Sequence, residues 1–167
     1  MNPAVVARAV LSRLQADSTL YTAGAWTATL AGGASYNKAN PSGLTFPFLV
    51  YSVSWSADQT PFDGMEGRCD ITFTVYDEDI QGTSRIETII DRLIGNAMLS
   101  GGTRSVPTYG FHNHLLALPA LGTTNVLGAN SERWTLVSSE ISPAETVQAN
   151  QATLVFSGRV GNVAANI

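Results

Sequence analysis

Apolar residues recur at helical spacing at the start of the chain. Asn2 followed by Pro3 is typical of a helix start, where proline is well tolerated at the first helical position. The apolar residues that then recur every three or four positions are Val6, Ala9, Val10 and Leu14. This spacing predicts a helix from about Pro3 to Gln15.

Two later segments instead alternate apolar and polar residues, which is typical of β-strands with one face in a core. The first, about 47–55, has an inward face of Leu49, Tyr51, Val53 and Trp55. The second, about 68–76, has an inward face of Cys69, Ile71, Phe73 and Val75. Together they predict a hairpin whose connection, 56–67, is too long for a tight turn.

A second helix is predicted over about 83–99. Ser84 stands three residues before Glu87, which is the spacing of a capping box. The predicted apolar stripe consists of Ile86, Ile89, Ile90, Leu93, Ile94 and Met98, and Gly101-Gly102 follows the helix. On this helix Arg85, Asp91 and Arg92 fall on the solvated side.

The remaining segments favour β-structure. We expect a short strand near 26–30 and further strands near 109–118, 133–141 and 147–160. In the last of these, Ala152, Leu154, Phe156 and Val160 share one face. The order of helix, hairpin, helix and strands predicts a single α+β domain over 1–167, with an antiparallel or mixed sheet packed against two helices.

Charge limits the possible partners. The formal net charge is -4, Lys38 is the sole lysine, and 13% of residues are charged. Because this pattern lacks a basic surface for phosphate backbones, sequence-specific nucleic-acid binding is disfavoured. A surface so poor in charge is either covered by Ser and Thr or destined to be covered by other subunits, and composition leaves both interpretations open.

Targeting and cysteine signals are weak. The N-terminal residues lack a basic head followed by an apolar stretch, and no window has the roughly 18 apolar residues of a membrane span. We therefore expect a soluble protein without a membrane partner. Cys69 is the single cysteine, which excludes an intrachain disulfide and permits a reducing compartment.

His112 and His114 form the one constellation that resembles a metal site, because residues two apart on a strand point the same way. Zinc would need further ligands, and the nearest carboxylate downstream is Glu132. Surface or interface histidines are the favoured interpretation, so no metal site is predicted. The acidic run 77–79 lacks the spaced ligands of a calcium loop and is interpreted as a solvated connection.

Catalytic and cofactor motifs are also lacking. Cys69 falls on an inward strand face, which favours a core residue over a reactive thiolate. The sequence contains no Gly-x-Ser-x-Gly turn and no phosphate-binding glycine loop. Trp26, Trp55 and Trp134 are interpreted as core or interface anchors. These observations predict a protein that is not an enzyme and carries no cofactor.

The Pro-Phe strand at 47–51, the long acidic loop, the strand 69–76 and the helix 85–93 resemble the tail-terminator, or tail-completion, proteins of long-tailed phages and phage-like particles. The resemblance begins with the helix 5–14 and covers about 3–99. Segments 21–43 and 103–131 are longer than the family pattern, so family contacts are not carried over to them.

This resemblance implies a structural virion protein that forms a ring, usually of six subunits. Such a ring caps the tail tube, ends its polymerisation and provides the surface that joins the head. The implied partners are further copies of the chain, the tail-tube protein and a neck or head-completion protein. The implied location is the virion tail or neck, after assembly from the host cytoplasm. DNA would pass through the bore without specific binding, because acidic subunits repel phosphate.

The loop from Asp58 to Arg68 is the predicted assembly interface. Phe62 and Met65 would be apolar anchors that face the tube or a neighbouring subunit. The charged residues that would set the register are Asp63, Glu66 and Arg68, and Asp58 belongs to the same predicted interface. The alternative is that Phe62 and Met65 fold back on their own sheet.

Two other functions remain open at this stage. One is a different neck protein of the same particle, such as the head-completion or stopper protein between portal and tail. The other is a small-molecule-binding or hydrolytic α+β domain whose pocket includes His112 and His114.

Overall fold

The computed structural model describes residues 3–37, 45–57, 66–78, 84–96, 99–100, 103–104, 107–114, 134–144 and 149–161. In chain order the elements are α1 (Pro3–Gln15), β1 (Tyr21–Thr22), β2 (Ala25–Trp26), a 3-10 helix (Ala28–Leu30), β3 (Ala34–Tyr36), β4 (Phe48–Ala57), β5 (Glu66–Asp77), α2 (Ser84–Ile94), β6 (Leu99–Ser100), β7 (Thr103–Arg104), β8 (Thr135–Ala144) and β9 (Ala149–Gly161). Within the described ranges no helix has the length and apolar character needed to cross a membrane.

A five-stranded sheet forms the centre of the fold, in the order β3-β4-β5-β9-β8. β3 runs parallel to β4, whereas every other neighbouring pair in this sheet is antiparallel. The β4–β5 pairing extends from Phe48 opposite Tyr76 to Ala57 opposite Gly67. The fold is therefore α+β with a mixed sheet, as the sequence predicted.

The helices pack on one face of this sheet, α1 against β4 and α2 against β5 and β9. All four predicted inward residues of β5 have no exposed surface, and Leu49 and Tyr51 of β4 are buried with them. The buried aromatic rings of Phe73, Phe111 and Phe156 contact one another at centroid distances of 4.8 to 5.8 Å. The alternation in the sequence thus predicted the core face correctly.

The first helix confirms its predicted bounds, but the second ends earlier than predicted, at Ile94. Gly95 has φ 99°, a left-handed conformation that favours glycine and often terminates a helix. A Cβ at Gly95 would lie 2.3 Å from the Tyr109 carbonyl oxygen. Because the backbone after the helix is packed directly against 109–110, Gly95 and Asn96 do not continue the helix, and the predicted Met98 lies outside the described residues.

The strand predicted over 26–30 is wrong, and the one predicted over 109–118 is wrong in its described part. Over 26–30 only Trp26 belongs to a strand, because Ala28–Leu30 forms a 3-10 helix that buries Leu30. Residues 109–113 form bends and turns, His114 belongs to no element, and residues 115–118 lie outside the described residues. By contrast, the strands predicted at 133–141 and 147–160 correspond to β8 and β9.

Each tryptophan packs against a glycine. A Cβ at Gly33 would lie 2.7 Å from the Trp26 ring, and one at Gly67 would lie 2.6 Å from the Trp55 ring. A Cβ at Gly158 would lie 3.0 Å from the Trp134 ring. The glycines leave space for the indole rings on neighbouring chain segments, so all three tryptophans contribute to core packing.

Candidate assembly surfaces

The β4–β5 hairpin carries the predicted assembly loop. Both strands are longer than predicted, so the connection is 58–65 instead of 56–67. Of the predicted interface residues, Asp58, Phe62, Asp63 and Met65 lie outside the described residues. Glu66 and Arg68 belong to β5 and therefore extend the sheet toward the loop.

Charged residues cluster on the outward face of this hairpin end. Arg68 lies opposite Arg159 of β9, and the Arg68 Nε donates a hydrogen bond to Asp70 Oδ1 at 3.0 Å. The side chains of Arg68 and Asp70 are 56% and 30% exposed, so their pairing contributes little to stability. Asp70 nevertheless offsets some of the repulsion between two arginines that face each other across a sheet.

Tight packing supports the base of the same hairpin. A Cβ at Gly67 would lie 2.2 Å from the Ser56 carbonyl oxygen, so a side chain would not fit there without movement of the backbone. The buried Trp55 indole nitrogen has no hydrogen-bond partner within the described ranges. The hairpin end is therefore held by packing against Trp55.

The outward face of the central strands is rich in hydroxyl side chains. Its half-buried or exposed residues include Ser52, Ser54, Thr72, Thr74, Thr153 and Ser157. This face accounts for part of the low charge of the chain. It favours the first of the two interpretations that composition left open, a surface covered by Ser and Thr, for this part of the protein.

The edge strand β8 exposes apolar side chains, unlike the hydroxyl-rich face of the central strands. Val137 is 54% exposed and Ile141 is 43% exposed, and they are the exposed large hydrophobic residues in the part of the chain that the structure describes. A register shift between Leu136 and Ser138 places Val137 in a β-bulge. Sequence analysis missed this surface, although the adjacent apolar pair Leu136-Val137 already broke the alternation of the strand.

The two histidines lie beside the first residues of β8. His112 Nδ1 accepts a hydrogen bond from the Leu136 backbone nitrogen at 3.2 Å. The Asn113 backbone nitrogen donates to the Trp134 oxygen at 2.7 Å, and the Trp134 nitrogen donates to the His114 oxygen at 3.1 Å. In the described ranges no group of three His, Cys, Asp or Glu side chains could hold a metal ion. His112 therefore has a structural contact with the edge strand.

Two ion pairs correct the predicted solvent-exposed faces. Arg92 was predicted to be solvated, but its Nε donates to the buried Asp17 Oδ2 at 2.8 Å, and this hydrogen bond raises the pKa of Arg92. Asp77 was predicted to lie in a solvated connection, yet it is fully buried and accepts a hydrogen bond from Arg85 Nε at 2.8 Å. Both carboxylates have a tertiary partner that local sequence patterns do not show.

Arg13 interacts electrostatically with Asp17, the acidic partner in the Asp17–Arg92 ion pair. Its Nε donates to the Gly110 oxygen at 3.1 Å, and a terminal nitrogen donates to the Pro107 oxygen at 3.0 Å. Burial lowers the pKa of Arg13, while nearby Asp17 opposes that change. The charged side chains thus join α1, α2 and the segment 107–111.

No protein-family model and no curated protein matches this chain. A solved structure does. It is a chain of the virion of a native gene transfer agent (GTA) particle, with 17% sequence identity and a TM-score of 0.57. The match covers 96% of this chain and 100% of that chain. At this identity the likeness shows a shared fold.

Proposed function

We propose that this chain is a structural, non-enzymatic protein of a phage-like virion, and that it caps the end of a tail tube as a ring of six identical subunits. The observation that carries the proposal is the likeness to a chain of a GTA virion, which extends over 96% of this chain. It agrees with the resemblance of residues 3–99 to tail-terminator proteins. In this role the ring would end tube growth and provide the head-joining surface.

A closed ring needs two different surfaces on each subunit, because one patch meets a different patch on the next copy. The central sheet has two unlike ends. At one end β3 is a three-residue parallel strand, and at the other β8 is a ten-residue antiparallel strand with exposed Val137 and Ile141. This asymmetry supports a head-to-tail contact.

The hairpin end supports a contact with the tube or with a neighbouring subunit. β5 begins at Glu66, so in the sequence residues 58–65, which include the apolar Phe62 and Met65, connect β4 to β5. Six copies would surround the bore with about -24 of formal charge, six times the charge of one chain. An acidic wall lets DNA pass without specific binding.

The first test replaces Phe62 and Met65 together by Ser. The variant should remain a folded monomer that fails to form rings or to cap tubes. The matched control replaces Gln59 and Thr60 of the same loop by Ser, and it should assemble normally. Normal capping by the Phe62→Ser/Met65→Ser variant would refute the role of this loop.

The second test distinguishes the tail terminator from another neck protein. Particles made without this protein should have tails of uncontrolled length in electron micrographs. Normal free tails beside heads that leak DNA would instead identify the stopper between portal and tail, and would contradict the terminator assignment.

A further inference from the structure

Two arginine side chains lie next to each other on the outward face of the sheet, at the hairpin end. Arg68 of β5 is directly opposite Arg159 of β9, and both residues are exposed. Like charges in directly opposite positions reduce the stability of a sheet. Asp70, which accepts a hydrogen bond from Arg68, balances one of the two charges. These three residues, the arginine patch, therefore have a formal charge of +1, from two arginines and one aspartate, and favour an acidic partner.

The exposed surface of α2 has the opposite charge. Glu87 and Asp91 are both exposed, and residues four apart lie on the same side of a helix. The arginines of this helix, Arg85 and Arg92, donate hydrogen bonds to buried carboxylates of their own chain. Their positive charge is therefore matched inside the subunit. Glu87 and Asp91, the carboxylate pair, leave the exposed surface of α2 acidic.

The arginine patch and the carboxylate pair are on opposite sides of the subunit. Cys69 is buried in the core together with Ile86 of α2. Successive side chains of a strand point to opposite faces, so the neighbouring Arg68 and Asp70 point away from α2. The sheet and the helix therefore separate the arginine patch from the carboxylate pair, and the two cannot meet within one chain. A contact between them requires a second copy.

The positions of the two charged groups also favour one symmetry of contact. A two-fold contact through the arginine patch would place positive charge against positive charge, which is unfavourable. A head-to-tail contact instead places the arginine patch of one copy on the carboxylate pair of the next. Each subunit then still offers one patch and one pair to further copies, and repetition of such a contact forms a ring when its rotation closes.

We propose that the arginine patch of each subunit binds the carboxylate pair of the next subunit. Both guanidinium groups donate hydrogen bonds to the two carboxylates, and a planar guanidinium can use two N–H groups at once for such a contact. This contact rests on the proposed ring and specifies which surfaces join its subunits. It assigns Arg68 to a neighbouring subunit and not to the tail tube.

The first test reverses one charge and then restores the attraction. Arg68→Glu should weaken assembly about tenfold or more, because it places acid against acid. Adding Asp91→Arg in the same chain should restore assembly, since the two reversed charges again attract. The matched control combines Arg68→Glu with Glu140→Arg, which gives the same net charge with the new arginine at an exposed position of β8, and it should not restore assembly. Analytical ultracentrifugation measures the mass, and circular dichroism establishes whether each variant is folded.

The second test distinguishes a contact between chains from an effect within one chain. Arg68→Glu chains and Asp91→Arg chains should each assemble poorly alone, because each puts like charges at every contact. Mixed in equal amounts, the two should form assemblies in which the variants alternate, because every contact then joins opposite charges. Mass measurement of the mixture, with one variant carrying a heavy-isotope label, reports both the assembly and its one-to-one composition.

These outcomes separate the proposed contact from the proposed function. If the wild type forms rings and Arg68→Glu forms them equally well, the contact is overturned while the ring remains. A loss of assembly in Arg68→Glu that neither Asp91→Arg nor the mixture restores would also overturn the contact, because the arginine would then act on a different partner. If the wild type never oligomerises, even with tubes, the proposed function fails and the contact fails with it.

Discussion

Asp17 and Arg92 form an ion pair that joins the end of α1 to α2 across 75 residues of sequence. The Asp17 side chain is 3% exposed and that of Arg92 is 21% exposed. The Arg92 guanidinium also lies 3.4 Å from the centroid of the Tyr109 ring. One arginine therefore connects both helices to the segment that leads toward β8.

Replacing Asp17 by Asn should lower the free energy of unfolding by about 2 kcal/mol, because it removes the charged hydrogen-bond partner of Arg92. Urea unfolding followed by circular dichroism measures the change. The control is Asp91→Asn at an exposed position of α2, which should change stability by less than about 0.5 kcal/mol. Equal urea midpoints for the two variants would show that the ion pair is not important for stability.

Replacing Gly67 by Ala should destabilise the protein by about 2 kcal/mol, because the new methyl group would meet the Ser56 backbone oxygen. The comparison variant is Gly158→Ala, whose Cβ would lie 3.0 Å from the Trp134 ring and needs a smaller adjustment. Thermal melting of both variants measures the difference. A larger loss in Gly158→Ala would contradict the packing described for the hairpin end.

The thiol of Cys69 should be unreactive in the folded protein. Burial, with a smaller contribution from nearby Asp70, raises the pKa of this thiol to about 12. At pH 8 about one thiol in 10,000 would then be ionised. A colorimetric thiol reagent should therefore react only as fast as the protein opens, and promptly in concentrated urea. Rapid stoichiometric reaction without denaturant would contradict this burial.

Because of the raised pKa of the Cys69 thiol, the protein should lose stability at alkaline pH. In the unfolded chain the thiol ionises near its ordinary pKa of 9.0, whereas in the folded protein it remains neutral up to about 12. The unfolded state thus binds fewer protons over this range, and stability falls as the pH rises through it. Cys69→Ala should show a shallower alkaline decline, as measured by urea midpoints between pH 8 and pH 11. An unchanged decline would exclude Cys69 as its source.

His112 should protect the start of the edge strand. His112→Ala removes the acceptor for the Leu136 backbone nitrogen and should cost about 1 kcal/mol. Hydrogen exchange at the Leu136 amide should become faster, while exchange at the buried strand residue Phe73 should follow only the change in global stability. An unchanged rate at Leu136 would show that this hydrogen bond does not hold the strand.

The sequence predicted the elements whose pattern is local. The spacing of Val6 to Leu14 predicted α1, and the alternation of Cys69 to Val75 predicted the inward face of the central strand. Both periodicities come from the geometry of a single element, so no knowledge of its neighbours was needed. The fold class followed from the order of these elements.

The features that the sequence did not predict depend on contacts between residues that are distant in the sequence. Arg92 has the spacing of a solvated residue, and its partner Asp17 lies in the segment after α1, 75 residues away in the sequence. The end of α2 depends on the close contact of Gly95 with Tyr109, which no apolar period reveals. Similarly, the exposure of Val137 and Ile141 depends on the position of β8 at the edge of the sheet. The roles of Phe62 and Met65 stay predictions.

The most direct test of the proposed function is the solution mass of the purified protein, alone and after mixing with its tail-tube protein. We predict assemblies of about six times 17.7 kDa that bind to tube ends and stop further growth. A protein that remains a 17.7 kDa monomer beside growing tubes would contradict the proposal.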